Sequence, residues 1–233
     1  MIRSLIFLSL FAKTIIPSNL VPLKIGDSDN LTKEDFLYVL PYLTEGRPSA
    51  VKMVSRRSFA GWWEYFLDKP IYTFPANSSF AGTALINEYG EVLGIGSLYV
   101  ADAAATGINS PGNMFVPIND LKPILNDLIK NGRRTKDIKP YMGLTSSDSS
   151  GQVKITRVND NGPAFKAGFS VNDTILAVNN EKINNIEEFY KKVWSFGGPG
   201  SKLVFNIERN QEIINLELTT MDRNDFFVKP KYY

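Results

Sequence analysis

Residues 77–98 read NSSFAGTALINEYGEVLGIGSL and combine a tight loop with a β-hairpin. Four small residues, Ser79, Ala81, Gly82 and Thr83, surround Phe80 in the loop and allow the chain to turn sharply. Apolar residues then predict one strand over 84–87 and a second over 91–98, joined by a turn at 88–90. The stretch therefore indicates a β-rich domain in which a hairpin holds the loop in place.

The composition limits both the fold and its chemistry. A chain of 233 residues, 43% of them hydrophobic, can form one large domain or two small ones. Its 26 basic and 24 acidic residues leave a net charge of +2, so we expect no nucleic-acid partner. The chain contains neither cysteine nor histidine, which removes disulfides, thiolate sites and the commonest general base. Because the carboxylates are scattered, we expect no metal and no cofactor.

Residues 1–12 allow two interpretations. A basic start followed by an apolar run over 4–12 resembles a short signal peptide, which would place the protein in the periplasm or outside the cell. The alternative is a buried strand, or the remnant edge of a missing domain, in a cytoplasmic protein. In either case the run is too short to cross a bilayer as a helix, so we expect no stable transmembrane anchor.

The first half of the chain reads mostly as strands. Further strands are predicted over 36–43, 50–55, 70–75 and 114–117. Residues 58–66 hold five aromatic side chains, which favours packing in a core; an exposed patch for a partner is the alternative. A helix over 121–130, capped by Asn119 or Asp120 and ended by Gly132, completes this half.

Residues 141–220 show the pattern of a second unit. Strands are predicted over 141–145, 152–158, 174–178, 202–209 and 212–219. Gly162-Pro163-Ala164 opens a short helix, because proline suits the first helical position. Asn185 caps a second helix, with Glu188 placed to return a bond to the cap. The charged segment 133–139 separates the two halves.

The first half also carries three motifs that resemble HtrA-type serine proteases. Residues 21–28, VPLKIGDS, resemble the L-G-D-S segment that lies between the two barrels of that family. Residues 79–84, SFAGTA, align with its nucleophile loop G-N-S-G-G-P. Residues 112–117, GNMFVP, resemble its G-F-A-I-P strand, which precedes the last helix of the protease domain. In this order the motifs resemble the second trypsin-like β-barrel of the family.

The second half resembles the PDZ domain that follows the barrels in this family. Residues 141–144, YMGL, resemble the carboxylate loop Y-L-G-V. The residues GPAFKAG at 162–168 and NDTILAVN at 172–179 resemble the G-P-A-x-x-A-G and G-D-x-I-x-x-V-N-G motifs. The resemblance implies a mainly β protein with a few helices, in which a single trypsin-like barrel precedes a PDZ domain. The implied limits are an apolar segment at 1–19, the barrel at 20–136, the PDZ domain at 137–221 and a tail at 222–233.

The departures from the family imply that catalysis is lost. The nucleophilic serine falls on Ala81, and the glycine that helps to build the oxyanion hole is replaced by Ser79. The catalytic histidine and aspartate of the family precede its L-G-D-S segment, but residues 1–20 contain neither. A triad needs both a nucleophile and a base, so we expect no catalytic residue and a pseudoprotease. The alternatives are an active serine endopeptidase completed by a missing first barrel, and a truncated remnant without function.

A serine–lysine pair is a further alternative to the lost triad. It would join Ser78 or Ser79 to Lys69, and it would require the lysine to be buried and deprotonated. Nothing in the sequence signals such a lysine, so the pair is not our expectation.

The resemblance implies a peptide-binding site in the second half. In the family, backbone N–H groups of the carboxylate loop bind the terminal carboxylate of a peptide, which adds as a strand beside the loop. The expected partners are therefore peptides or protein C-termini, and a weaker cleft is expected at 96–98. The helix over 186–195 would form a wall of the peptide groove, with Phe189 and Val193 on the apolar floor of that groove. The alternative for both residues is ordinary packing in the core. The predicted peptide-binding residues are Tyr141, Met142, Gly143, Leu144, Phe189 and Val193.

Two features predict self-association. An unpaired barrel exposes the apolar face that a partner barrel would cover, so we expect a homo-oligomer or another partner. The chain ends in Lys231-Tyr232-Tyr233, whose free carboxylate would fit the groove of a neighbouring copy. The alternative for this end is a frayed tail.

Overall fold

The structure is a computed structural model that describes residues 21–33, 35–40, 47–61 and 64–227. The candidate signal peptide at 1–12, the terminal residues 231–233 and two aromatic residues, Trp62 and Trp63, lie outside the described residues. The chain divides into a first unit, Met1–Ser58 and Leu67–Thr135, and a second unit, Phe59–Phe66 and Lys136–Tyr233. The segment Phe59–Phe66, called the 59–66 segment below, thus belongs to the second unit, although the predicted domain limits assigned it to the barrel.

Six antiparallel strands close into a barrel in the first unit. The barrel order is β1-β2-β5-β8-β7-β6, and β6 pairs back onto β1 through Val39 and Leu85. Two short strands, β3 and β4, form a separate two-stranded sheet. The eight strands are β1 (Phe36–Leu40), β2 (Ser49–Ser55), β3 (Phe59–Gly61), β4 (Tyr65–Leu67), β5 (Ile71–Phe74), β6 (Ala84–Ile86), β7 (Val92–Val100) and β8 (Gly112–Pro117).

Side chains that alternate along the strands fill the barrel. In β2, Val51 and Met53 are buried while Ala50 and Lys52 are exposed, because successive residues of a strand point to opposite faces. The strands therefore confirm the mainly β prediction and its barrel. The buried core of the unit consists of Leu37, Val39, Val51, Met53, Ile71, Leu85, Leu93 and Phe115.

The predicted helix over 121–130 is wrong as a single element. The chain instead forms α1 (Ile118–Leu121), a 3-10 turn (Lys122–Ile124) and α2 (Leu125–Asn131). Pro123 accounts for the interruption, because it has no N–H group with which to continue the helical ladder. The predicted caps are also wrong, since Asn119 donates its side-chain amide to Asp27 at 2.7 Å and caps no helix. Gly132 ends α2 as predicted, with φ at 65°.

A six-stranded sheet with three helices forms the second unit. Its order is β14-β13-β11-β10-β9, with β12 paired to β11, so β9 lies at an edge. The strands are β9 (Leu144–Ser147), β10 (Lys154–Val158), β11 (Thr174–Val178), β12 (Glu181–Lys182), β13 (Lys202–Arg209) and β14 (Glu212–Thr219). The helices are α3 (Pro163–Lys166), α4 (Ile186–Ser195) and α5 (Arg223–Phe226).

The cap of α4 determines where this helix begins. The side chain of Asn185 accepts a hydrogen bond from the N–H of Glu188 at 2.8 Å, as predicted. The Glu188 carboxylate accepts a hydrogen bond from Asn184 N at 3.1 Å, one residue before the predicted donor, Asn185 N. The start of α4 matters because its inner face supplies Ile186, Phe189, Tyr190 and Val193 to the core of the second unit.

A buried ion pair connects β13 to the turn before β11. Arg209 Nε lies 2.7 Å from Asp173 Oδ1, and its Nη2 lies 2.7 Å from Oδ2. The carboxylate of Asp173 is almost fully buried, and it also accepts the N–H of Ser170 at 2.8 Å. A second pair on the same strand, Lys202 with Glu217 at 3.5 Å, is largely exposed.

The described ranges contain neither a membrane-spanning helix nor a cluster of metal ligands. No helix there is long and apolar enough to cross a membrane. Within the same ranges, no three acidic side chains come together as a set of metal ligands.

The two ion pairs of β13 predict a graded loss of stability. Arg209→Ala should lower the free energy of unfolding of the second unit by about 3 kcal/mol, because it leaves the buried Asp173 carboxylate without its partner. Lys202→Ala, the matched control on the same strand, should change it by less than about 1 kcal/mol. Urea denaturation of the full chain, followed by circular dichroism, measures both. Equal losses in the two variants would contradict the ranking.

Candidate functional site

The loop that resembles a nucleophile loop has alanine at the position of the nucleophile. Ala81 occupies the serine position in an exposed turn, and its methyl group has no proton to transfer. The N–H of Ser79, at the position expected for the oxyanion hole, donates to the side chain of Asn77 at 2.8 Å. Its donor is therefore already used within the loop.

Backbone contacts with β7 hold this loop in place. Gly82 N donates to Gly96 O at 2.8 Å, and Gly96 N donates to Thr83 O at 2.9 Å. A Cβ atom added to Gly96 would lie 1.8 Å from Phe80 O, so only glycine allows the loop to approach β7 this closely. In the weaker cleft predicted at 96–98, the backbone N–H and C=O groups of Gly96 are therefore already hydrogen-bonded to the loop.

The serine–lysine alternative lacks the burial that it requires. Lys69 and Ser78 are exposed, and Ser79 is partly buried. A lysine base has to lose its proton near neutral pH, which requires burial or a neighbouring cation. An exposed Lys69 does not meet the first condition.

In the second unit, three successive backbone N–H groups bind one carboxylate. Glu64 Oε1 accepts Gly143 N at 2.7 Å and Leu144 N at 3.0 Å, and Oε2 accepts Met142 N at 2.9 Å. The acceptor comes from the 59–66 segment, and the donors come from the predicted carboxylate loop. The loop thus binds the chemical group for which the resemblance predicted a site.

The backbone of the loop explains why these N–H groups converge. Gly143 has φ at +79°, a conformation that residues with a Cβ rarely adopt, and this turns its neighbours' N–H groups to one side. Ala164 N donates to Met142 O and Asn159 N donates to Gly143 O, both at 2.8 Å, which holds the loop from behind. The N–H of Tyr141 pairs with Met221 O at 2.9 Å, so Tyr141 helps to anchor the loop while the next three residues bind the carboxylate.

The environment of the Glu64 carboxyl group changes its acidity. Burial raises its pKa from 4.5 to about 7, while the three N–H donors and the positive charge of Arg223 lower it by smaller amounts. Two tyrosines also face the group. Burial raises the pKa of Tyr190 to about 12. Burial also raises the pKa of Tyr141 above its ordinary value. Glu64 is therefore the member of this cluster that changes charge between pH 4.5 and 7.

The 59–66 segment contacts helix α4 as well as the carboxylate loop. The hydroxyl of Tyr190 donates to Gly61 O at 3.1 Å and accepts Glu64 N at 3.2 Å. One helical turn further on, the ring of Trp194 meets Phe66 edge to face, with 6.0 Å between the ring centroids. Ala60 and Phe66 both pack against the core of the second unit.

The predicted groove residues of α4 are placed differently from the residues that contact the segment. Phe189 and Val193 are fully buried in the core, and their role as a groove floor stays a prediction. The residues that sequence reasoning missed are Tyr190, Trp194 and Glu64. Glu64 could have been noticed as the single charged residue within the aromatic segment 58–66.

The raised pKa of Glu64 predicts a pH-dependent stability. Because burial makes the pKa of Glu64 higher in the folded chain than in the unfolded chain, the folded state binds more protons than the unfolded state between pH 4.5 and 7. The contribution of Glu64 to the free energy of unfolding is therefore fully present below pH 4.5. It is lost as the pH rises towards 7, by an amount on the order of 3 kcal/mol.

Glu64→Gln is the control for this effect, because it keeps the shape of the side chain and removes its titration. Urea denaturation of both proteins at pH 5 and pH 8 should show a larger loss for the unchanged protein than for the variant. Parallel losses in the two proteins would show that another group causes the pH dependence.

The comparison with known proteins agrees with both halves of this description. Residues 140–220 match the family model of the PDZ domain. The serine endoprotease DegS of Haemophilus influenzae is 32% identical over 60% of this chain, and a probable serine protease do-like of Buchnera aphidicola is 27% identical over 85%. The chain spans 41% and 43% of the length of these two relatives.

Solved structures of similar fold cover most of this chain. The serine endoprotease from Yersinia pestis is 25% identical, with a TM-score of 0.52 over 89% of this chain and 69% of its own. The HtrA-type protease AlgW with tripeptide is 19% identical, with a TM-score of 0.54 over 89% of this chain and 71% of its own. In its motifs, its barrel and its carboxylate loop this chain is similar to the HtrA-type serine proteases, and it joins a trypsin-like barrel to a PDZ domain.

Proposed function

We propose that this chain is a catalytically inactive HtrA-like protein that binds peptides and protein C-termini through its PDZ domain. Its role would be that of an adaptor or regulator, in which binding rather than hydrolysis is the output. The residues that carry the function are the loop residues Tyr141, Met142, Gly143 and Leu144.

The observation that supports binding is the carboxylate held by the loop. Met142, Gly143 and Leu144 donate to Glu64 at 2.7–3.0 Å, and a peptide C-terminus offers the same two oxygens. Charge-assisted hydrogen bonds of this kind are about twice as strong as neutral ones, so a free C-terminus should be preferred over an amidated one. Edge strand β9 lies beside the loop, where an added peptide strand would pair.

Three observations support the loss of hydrolysis. The position of the nucleophile holds Ala81, and the N–H of Ser79 is occupied by Asn77. The 233 residues contain no histidine that could act as a base. Acyl transfer needs a nucleophile whose proton is removed by a neighbouring base, and this chain supplies neither in the loop.

Self-association is a further part of the proposal. Large apolar side chains of the first unit are exposed, among them Phe36, Phe74 and Tyr99. Such side chains favour association when they form a patch. The oligomeric state stays a prediction that sedimentation velocity of the full chain addresses.

Restoring the serine tests whether catalysis is lost at more than one position. Ala81→Ser should leave hydrolysis of casein and of fluorogenic peptides at the level of buffer alone, because the new hydroxyl has no imidazole beside it. The unchanged chain serves as the control in the same assay. Hydrolysis that appears in the variant and disappears with a serine-protease inhibitor would contradict the proposal of a pseudoprotease.

Peptide binding is tested by changing the loop glycine. Gly143→Ala should weaken the binding of a library of peptides with free C-termini by about tenfold or more, or about 1.4 kcal/mol, because it distorts the converging N–H groups. Gly151→Ala is the matched control, since Gly151 also has a positive φ, at 82°, but lies in the turn between β9 and β10.

Fluorescence polarisation with free and amidated versions of the library measures the difference. Equal binding of both versions by the unchanged chain, or equal binding by the two glycine variants, would argue against the carboxylate loop as the peptide site.

A further inference from the structure

We infer that the 59–66 segment is an internal ligand of the PDZ groove, with Glu64 in the place of a peptide C-terminus, and that an external peptide binds by displacing it. The inference rests on the proposed peptide-binding function and adds its regulation. In the protein without a peptide, the segment occupies the carboxylate loop, and the loop becomes available only when the segment leaves.

The hydrogen bonds of the loop make the two ligands mutually exclusive. Each of the three N–H groups has one proton to donate, and all three are directed at the Glu64 carboxylate. A peptide C-terminus needs the same donors, because the fourth N–H of the loop, that of Tyr141, is bonded to Met221 O. Binding of one carboxylate therefore requires release of the other.

The helix side of the groove is occupied as well. The hydroxyl of Tyr190 donates to Gly61 O and accepts from Glu64 N, and both residues belong to the segment. Phe66 lies against Trp194, and the Lys191 ammonium group lies 5.2 Å from the centre of the Phe66 ring. The segment is thus bound through a carboxylate, a backbone carbonyl and an aromatic side chain, as a short peptide would be.

One surface of the groove is left for a competitor. Among the described strands, β9 pairs only with β10, and the segment pairs its own strands β3 and β4 with each other. An external peptide that adds to β9 would gain main-chain hydrogen bonds that the described residues of the segment, 59–61 and 64–66, do not make with β9. This difference gives a peptide a means of displacing a segment that is present at a high effective concentration.

The connection of the segment to the chain gives its release a consequence. Ser58 and Leu67, the residues on either side, belong to the first unit. A peptide that displaces the segment therefore frees a stretch whose two ends continue into that unit. Carboxylate binding in the second unit would in this way change the state of a segment that the first unit carries.

Glu64→Gln tests the inference, because the amide keeps the size of the side chain but replaces one acceptor oxygen by a donor. Glu212→Gln, an exposed glutamate at the start of β14, is the matched control. Hydrogen exchange of the full chain, read by NMR, should be at least tenfold faster at Met142, Gly143 and Leu144 in Glu64→Gln than in the unchanged chain or the control. Exchange at Phe205 in the core strand β13 should stay slow, which distinguishes local opening from unfolding.

A second readout measures the groove directly. A pool of decapeptides with free C-termini and randomised last four residues is applied to the immobilised full chain, and the retained peptide is quantified. The Glu64→Gln variant should retain at least tenfold more than the unchanged chain. If that variant unfolds, Phe66→Ala, which removes the contact with Trp194 and keeps the carboxylate, should shift both readouts in the same direction.

The two readouts separate the two claims. Faster exchange with more retained peptide supports the internal ligand and the proposed function together. Faster exchange without retained peptide supports the internal ligand and overturns the proposed function. Unchanged exchange at the three loop residues overturns the internal ligand, whatever the peptide pool shows.

Discussion

Three backbone N–H groups that point at one place need a hydrogen-bond acceptor there, and this constraint organises the second unit. Gly143 creates the arrangement through its positive φ, and Asn159 and Ala164 hold the loop from behind. Left without an acceptor, buried donors of this kind would each cost about 1–3 kcal/mol. The chain satisfies them with Glu64, which explains why residues 59–66 fold with the second unit although they lie within the sequence of the first.

The same contact links the two halves of the proposed function. The barrel keeps the strands and the loop of a trypsin-like fold, but at Ala81 the loop has only a methyl group to offer. The surface that still binds a charged group lies in the PDZ domain. There the burial of Glu64 raises its pKa to about 7, so keeping its ionised form at the loop costs free energy at neutral pH. A ligand held in this way suits a groove that opens in response to a competitor.

Local signals in the sequence were sufficient to predict most of the second unit. Gly143, the Asn185 cap and the asparagines of positive φ at 179 and 180 each impose a backbone geometry that does not depend on distant residues. The split of the predicted helix at Pro123 could also have been foreseen, since proline interrupts a helical ladder wherever it falls inside one. Glu64 could not have been paired with its loop, because its partners lie 78 to 80 residues away and no local pattern encodes such a distance. Helical spacing puts Tyr190 on the buried face of α4, but spacing alone does not show that its hydroxyl binds Gly61 and Glu64.

The most direct test of the central claim is a pH titration of the Glu64 carboxyl carbon by NMR, recorded together with the backbone amides of Met142, Gly143 and Leu144. The Glu64 carboxyl group, buried against these three N–H groups, should titrate near pH 7, and the three amide signals should shift with the same midpoint. In Glu64→Gln the shared transition should disappear from the amides. A midpoint near 4.5 for Glu64, with no matching change at the three amides, would show that the carboxylate is free in solution and would contradict the internal ligand.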